Sequence, residues 1–206
     1  MKEGIKKKLA VLASGRGSNF VAIHDAIVRG DIDAEIAVLI TNKPSAGVID
    51  IARERNIDVQ VIESKGLPAG EFDRKAVAIL KERGIELVIL AGFMRIVGRP
   101  LIDAFPSRII NIHPSLLPAF KGLDAQKQAL EYGAKIAGCS VHFVDEGVDT
   151  GPIILQRVVP VADNDTVDTL STRILAEEHL AYPEAVKLFV EDRLRIEGRR
   201  VFIDGK

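Results

Sequence analysis

Cysteine is almost missing from this sequence. Cys139 stands alone, which excludes an intrachain disulfide and suits a reducing compartment. It lies in an apolar stretch and reads as a packed strand residue, not a nucleophile. Neither sign of charge is in excess: 28 Lys and Arg face 29 Asp and Glu, for a formal net charge of −1. That balance argues against a nucleic-acid partner held by bulk electrostatics and gives no reason to expect a membrane surface. Long apolar runs are missing too. The basic start Lys6-Lys7-Lys8 precedes only Leu9 to Ala13 before Ser14 and Gly15, too short for a signal-peptide core, and nothing later approaches a membrane span. The expectation is a cytoplasmic protein. Internal repeats, low-complexity segments and linkers are also lacking. With 47% hydrophobic residues among 206, the chain supports a buried core and reads as a single domain over 1–206.

Strands and helices alternate along the chain. Leu9 to Ala13 is a buried first strand, and Phe20, Ile23, Ile27 and Val28 recur at helical spacing after Ser14-Gly15-Arg16-Gly17-Ser18-Asn19. Strand, glycine turn and helix start together form an anion site, where backbone N–H groups and the positive end of the helix dipole face the loop. A dinucleotide fingerprint would need a third glycine, but Phe20 stands there. The second strand, Glu35 to Ile40, ends in Thr41-Asn42-Lys43-Pro44, with no acid placed for a ribose diol. The loop therefore reads as a single phosphate site, with a purely steric glycine turn as the alternative.

Pro44 opens a predicted helix to Arg55, Val59 to Ile62 a short strand, and Glu71 to Arg83 a helix with Phe72, Ala76, Ile79 and Leu80 on one face. Glu86 to Ala91 is a continuous apolar strand, as expected when helices cover both faces of a sheet. Gly92 to Val97 leaves it as an apolar loop with one cation, either lining a pocket for a flat ligand or packing as a connection. Further on, the pattern predicts a helix over Leu123–Tyr132, a strand over Ile136–Val144, a strand over Ile153–Val158 and a long helix over Val167–Val190, kinked or broken at Pro183. Two small strands follow around Leu194–Ile196 and Val201–Phe202. The fold class is α/β: a Rossmann-like, open, mainly parallel twisted sheet with helices on both faces and antiparallel additions in the C-terminal part.

Arg108 to Gly122 carries the chemistry. Three isoleucines at 109, 110 and 112 are interrupted by Asn111 and His113, which a period of two puts on the same side of a strand. Pro114 stops the pairing, leaving an amide and an imidazole side by side where an open parallel sheet binds ligands. The bland alternative is that both merely satisfy neighbouring backbone groups. His113 and His142 lack metal-ligand spacing and the cysteine is alone. Ser115 lacks the strand-to-helix elbow of a nucleophile. His24 and His179 sit in predicted helices and read as packing or surface residues. An amide donor beside a general acid suits a tetrahedral oxyanion on an acyl carbon, and a carboxylate near the imidazole favours its charged form. The residues support acyl transfer or hydrolysis beside a phosphate site.

Four segments now carry a resemblance: Gly15-Arg-Gly-Ser-Asn19, Ala91-Gly-Phe-Met-Arg-Ile96, Asn111-Ile-His-Pro-Ser-Leu-Leu-Pro118, and Ser140-Val-His-Phe-Val144 with Asp149-Thr-Gly-Pro152. Together they resemble the folate-dependent formyltransferase family. The third is specific to that group, and the first narrows the match to members with a phosphoribosyl substrate, the phosphoribosylglycinamide formyltransferases. The resemblance implies that Asn111, His113 and Asp149 are catalytic, with Asp149 keeping His113 protonated and His142 in support. It implies that Gly17, Ser18 and Asn19 hold the phosphate of glycinamide ribonucleotide and that Glu178 contacts its amino end. Met94, Arg95, Ile96 and Val97 would border the pteridine of 10-formyltetrahydrofolate, with Asn111 and Asp145, Glu146, Gly147, Val148 and Asp149 around it and Arg74 at its glutamate tail. No metal is implied, and the partners are these small molecules, with the chain a monomer or homodimer. Asp145 departs from a frequent Thr, as does Ala119-Phe-Lys-Gly122 from its usual form.

Rival readings remain. A formyltetrahydrofolate deformylase shares the histidine and aspartate but carries an N-terminal regulatory domain, whereas the first strand here begins by Leu9. A methionyl-tRNA formyltransferase needs a C-terminal nucleic-acid-binding domain, and a short tail follows Val190. A folate or nucleotide sensor would have no use for Asn111, His113 and Asp149 together.

Overall fold

The computed structural model describes residues 6–205; the remaining terminal residues of the expected 1–206 domain lie outside the described ones. The described residues form nine strands and six helices, an α/β fold in which two compact units meet in sequence between Ile110 and Asn111.

The first unit contains β1 (Lys7–Leu12), α1 (Ser18–Val28), β2 (Ala34–Thr41), α2 (Val48–Glu54), β3 (Val59–Val61), α3 (Glu71–Glu82), β4 (Leu87–Leu90) and α4 (Arg99–Ala104), and it ends within β5 (Ile109–His113). The strand order β3-β2-β1-β4 is parallel throughout. Leu9 to Ala13 and Leu87 to Ile89 are fully buried, because a parallel sheet is covered on both faces and has no place for alternation. Phe72, Ala76 and Leu80 of α3 are buried as its spacing predicts. The helix expected from Pro44 begins instead at Val48. Lys43 to Gly47 is a turn, closed by Ala46 N–H on the Lys43 carbonyl, and Val48 N–H donates to the Gly15 carbonyl. The start of α2 is therefore set by the glycine loop it packs against. The short helix α4, with Pro100 in its first turn, lies in a stretch the periodicity left unassigned.

The second unit contains α5 (Ala125–Tyr132), β6 (Ile136–Phe143), β7 (Ile153–Pro160), α6 (Val167–Val190), β8 (Leu194–Glu197) and β9 (Arg200–Ile203). β6 and β7 pair antiparallel, with a register shift between Val141 and His142, and the β8–β9 hairpin joins β7 through β9. β6 lies close against its partner at Gly138, where a Cβ would come within 2.0 Å of the Arg157 carbonyl oxygen. α5 starts two residues later than expected, because Asp124 adopts a left-handed backbone (φ 56°) at its cap. Of the kink or break expected at Pro183, the break does not occur: α6 runs through it. Ala181, Tyr182, Ala185 and Val186 on either side are all fully buried, and packing of that face outweighs the one hydrogen bond proline forfeits.

Candidate active site

Asn111 and His113 end β5 in the second unit, on the same side, as the period of two requires. Both reach the same carboxylate. His113 Nδ1 lies 3.3 Å from Asp149 Oδ2, and Asn111 Nδ2 lies 3.5 Å from Asp149 Oδ1. The second carboxylate oxygen contact is supplied by the Gly122 N–H, 2.9 Å from Oδ2. Asp149 sits in the left-handed backbone region (φ 51°), which an aspartate tolerates better than most residues. That turn aims its carboxylate at β5.

His113 is 5% exposed and faces acceptors on both ring nitrogens: Asp149 at Nδ1 and the Phe120 carbonyl at Nε2, 2.8 Å away. A neutral imidazole has one N–H and could serve only one of them; the imidazolium serves both. Burial pushes the Asp149 carboxyl up, but His142, the Gly122 N–H and the charge of His113 together outweigh it and hold the group below the usual carboxylate range. Asp149 is therefore an anion across the neutral range, set against a ring that only its cationic form fully satisfies.

His142 supports this arrangement. It is 2% exposed, its Nδ1 lies 2.7 Å from the Phe143 carbonyl, and its Nε2 lies 3.2 Å from Asn111 Nδ2 and 3.6 Å from Asp149 Oδ1. Of the two groups that Nε2 faces, the Asn111 amide is nearer than the Asp149 carboxylate. Asn111 is thereby held with its N–H groups toward His142 and Asp149 and its rotamer fixed. One face of β6 also presents Ser140, whose hydroxyl donates to the Ser115 carbonyl at 2.7 Å and accepts from Leu117 N–H and Gln156 Nε2, each at 2.9 Å. This buried hydroxyl staples the turn that follows His113. The contacts of Phe120, Gly122 and Ser140 were invisible in the sequence: the first two are backbone groups, and a serine on a strand has no distinctive spacing.

In the first unit, Gly17 caps α1 with φ 84°, and a Cβ there would come within 2.4 Å of Val48 Cγ2. Both facts require glycine on steric grounds. Ser18 opens the helix and Asn19 is buried. Met94 and Ile96 are exposed and Val97 is buried. The Arg95 guanidinium stacks over Phe72, 5.0 Å from the ring centre, which packs its side chain into α3. Arg74 is half-exposed and paired with Glu71 at 2.9 Å. In the second unit, Asp145 is turned inward on its own loop, accepting from Gly147 N–H and from the Thr150 hydroxyl. The acid that departs from the frequent Thr is thus a clasp for the loop leading to Asp149. Glu146, Gly147 and Val148 are exposed on that loop, and Glu178 is buried on α6.

The set-aside groups behave as packing residues. The Cys139 thiol is fully buried and burial pushes it up to about 12, so it supplies no thiolate. Desolvation lowers the His179 imidazole. Ser115 donates to the Ala119 carbonyl at 2.6 Å and has no base beside it. Among the described residues, no group of three or more His, Cys, Asp or Glu is disposed to hold a metal ion, and no helix is long and apolar enough to cross a membrane.

Residues 7–186 match the formyl transferase family. The chain is 45% identical to the phosphoribosylglycinamide formyltransferase of Bacillus subtilis over 88% of its own length and 93% of that protein. It is 43% identical to the human trifunctional purine biosynthetic protein adenosine-3 over 93% of this chain, but spans only 19% of that protein. The crystal structure of glycinamide ribonucleotide transformylase 1 from Symbiobacterium toebii superposes with a TM-score of 0.95 at 51% identity, over 98% of this chain and 95% of that one.

Proposed function

The chain belongs to the formyl transferase family, and on that premise we propose that it transfers the formyl group of 10-formyltetrahydrofolate to the amino group of glycinamide ribonucleotide. The products are formylglycinamide ribonucleotide and tetrahydrofolate. The observation that carries the reading is the buried contact of Asp149 with both His113 and Asn111.

The chemistry follows from those groups. The neutral amine attacks the formyl carbon, a C–N bond forms, and the formyl oxygen takes up negative charge. The imidazolium of His113 and an amide N–H of Asn111 are the donors for that oxyanion, the Asn111 N–H being the one released from its longer contact, 3.5 Å to Asp149 Oδ1. Asp149 gives the imidazolium an acceptor at Nδ1 and fixes its ring. As the C–N bond to the folate nitrogen breaks, the proton lost by the attacking amine passes to that leaving nitrogen, with His113 as the acid. In the present arrangement His113 Nε2 is engaged by the Phe120 carbonyl, so the formyl oxygen must replace that carbonyl.

The remaining residues have binding roles in this reading. Gly17, Ser18 and Asn19 meet the phosphate with the N-terminus of α1; Glu178 meets the amino end of the ribonucleotide. The Met94–Val97 segment, with Met94 and Ile96 exposed, offers apolar side chains and backbone groups to the flat folate ring, the 145–149 loop adds to that site, and Arg74 pairs with the tail carboxylate. The test is to mix the protein with both substrates and follow folate deformylation and amine formylation together. Equal rates are expected. Folate loss without formylated amine would instead identify a hydrolase, and binding without turnover a sensor.

A further inference from the structure

Two buried polar side chains of the first unit have no part in the binding roles above. Ser14 is 4% exposed and Asn42 is 9% exposed, and they follow the carboxyl ends of the neighbouring parallel strands β1 and β2. The Ser14 hydroxyl donates to Asn42 Oδ1 at 2.6 Å and accepts the Met94 N–H at 2.8 Å. Met94 follows β4, the other parallel neighbour of β1. The Ser14 N–H also donates to the Gly92 carbonyl at 3.1 Å, and Asn42 Nδ2 reaches Ser64 Oγ at 3.4 Å. One hydroxyl thus spans the ends of three adjacent strands.

The direction of these bonds matters. A serine hydroxyl has one proton and two lone pairs. With the proton given to Asn42, a lone pair is fixed toward Met94, and the amide that opens the exposed segment is held at a set place above the sheet. The other anchors of that segment are side chains: Arg95 stacked on Phe72 and the buried Val97. Ser14 supplies the anchor of the main chain itself. Ser14 also directly precedes Gly15, so the same residue lies between β1 and the phosphate loop.

We infer that Ser14 and Asn42 are positioning residues for the formyl donor: Asn42 orients the Ser14 hydroxyl, and that hydroxyl fixes Met94 and the backbone of the segment that receives the folate ring. This rests on the reading of Met94–Val97 as the donor site. It assigns a role to neither residue in contact with the reacting atoms.

The test uses Ser14→Ala, Asn42→Ala, the double variant, and Ser14→Thr, which keeps the hydroxyl. Ser14→Ala should raise KM for 10-formyltetrahydrofolate about fivefold, the scale of one lost hydrogen bond. KM for the ribonucleotide and kcat should stay within about twofold, the pattern of lost uniform binding of one substrate. Hydrogen exchange at the Met94 amide should quicken in Ser14→Ala and in Asn42→Ala and stay slow in Ser14→Thr. The double variant should be no worse for the donor than Ser14→Ala, since Asn42 acts through the hydroxyl. An unchanged donor KM in Ser14→Ala, or equal losses for both substrates and kcat, overturns the proposal, because the bridge would then be structural only. If the wild-type protein formylates nothing and binds no folate, the functional reading has failed instead, and Met94 exchange alone still decides whether the hydroxyl fixes that segment. Should Ser14→Thr fail to fold, Asn42→Ala and its Met94 exchange carry the same decision.

Discussion

The two units bury polar groups in different places. In the first, Leu9 to Leu12 of β1 and all of β4 are apolar and buried, and the buried polar side chains stand at or just past strand ends (Ser14, Thr41, Asn42) or on helices (Asn19, Asp73). In the second, Ser140 and His142 are buried within β6, His113 at the last position of β5, Ser115 in the turn after it and Glu178 on α6. A buried polar group must find a partner or cost a few kcal/mol, on the order of 1–3. The first unit meets that demand for Ser14 past the end of β1, where its hydroxyl joins the Asn42 side chain to the Met94 N–H. The second meets it with a connected set of side chains, in which each member fixes the next. The first arrangement suits binding, in which loops can be changed one at a time; the second suits chemistry, in which proton positions must be held. Variants in the two units should therefore damage different kinetic constants.

Asp149→Asn should have the largest effect. The side chain keeps its size while the anion that faces His113 is lost, and turnover should fall at least ~100-fold, the scale of a disabled acid/base group or oxyanion donor. KM for the ribonucleotide should stay within a few-fold. Near-normal turnover would leave Asp149 as a loop residue only. The same variant tests stability against pH. The folded-state value of Asp149 is depressed, so its contribution is fully present above the unfolded carboxylate value of about 3.9 and is lost as pH falls through the lower folded value. The stability difference between wild type and Asp149→Asn, measured by urea unfolding, should be constant above about pH 5 and shrink on acidification.

Ser140→Ala removes the staple behind His113. Three hydrogen bonds go, and the buried Leu117 N–H loses its partner. Stability should drop by about 1–3 kcal/mol, and turnover should fall with it while both KM values hold. A variant that loses stability but keeps full turnover would show that the turn after His113 needs no support, and would weaken the contrast drawn between the units.

Gly17→Ala belongs to the first unit and should spare turnover. Its Cβ would enter Val48 in a left-handed backbone, costing about 1–3 kcal/mol of stability. The displaced loop should raise KM for the ribonucleotide severalfold while donor KM changes little. Calorimetry showing the reverse, with donor affinity lost and ribonucleotide affinity kept, would exchange the two sites.

What could be read from sequence divides along the same line. The buried strands of the first unit were legible because covered parallel strands are continuous apolar runs, and Leu9–Ala13 and Glu86–Ala91 could hardly be anything else. Asn111 and His113 were legible because they break such a run at a spacing of two. The start of α2 was not, since a bond from Val48 to Gly15 sets it and the two residues are far apart in the chain. Nor was the continuity of α6 through Pro183, where burial of both flanks overrides a local breaker. Phe120 and Gly122 act through main-chain atoms, which any residue supplies, so no residue type could reveal them. Asp145 was legible as a departure from a frequent Thr, but its contacts with Gly147 N–H and the Thr150 hydroxyl were not, since residue type alone does not say which way a side chain turns.

The smallest effect expected is that of Arg74→Ala. Arg74 is more than half exposed and already paired with Glu71 on the same helix, at 2.9 Å and three residues away. Any tail carboxylate must compete with that partner and with water. Exposed ion pairs contribute about 1 kcal/mol or less, so KM for the donor should rise only a few-fold, with kcat and ribonucleotide KM unchanged. The effect should shrink further as salt is added, because charges this open to solvent are screened over about 10 Å at 0.1 M. Measuring donor KM for wild type and Arg74→Ala at low and high salt separates the contributions. Convergence of the two at high salt is the expected result for an electrostatic contact. A large kcat loss with donor KM unchanged would place Arg74 among groups that act on the reaction itself, not among those that bind the donor.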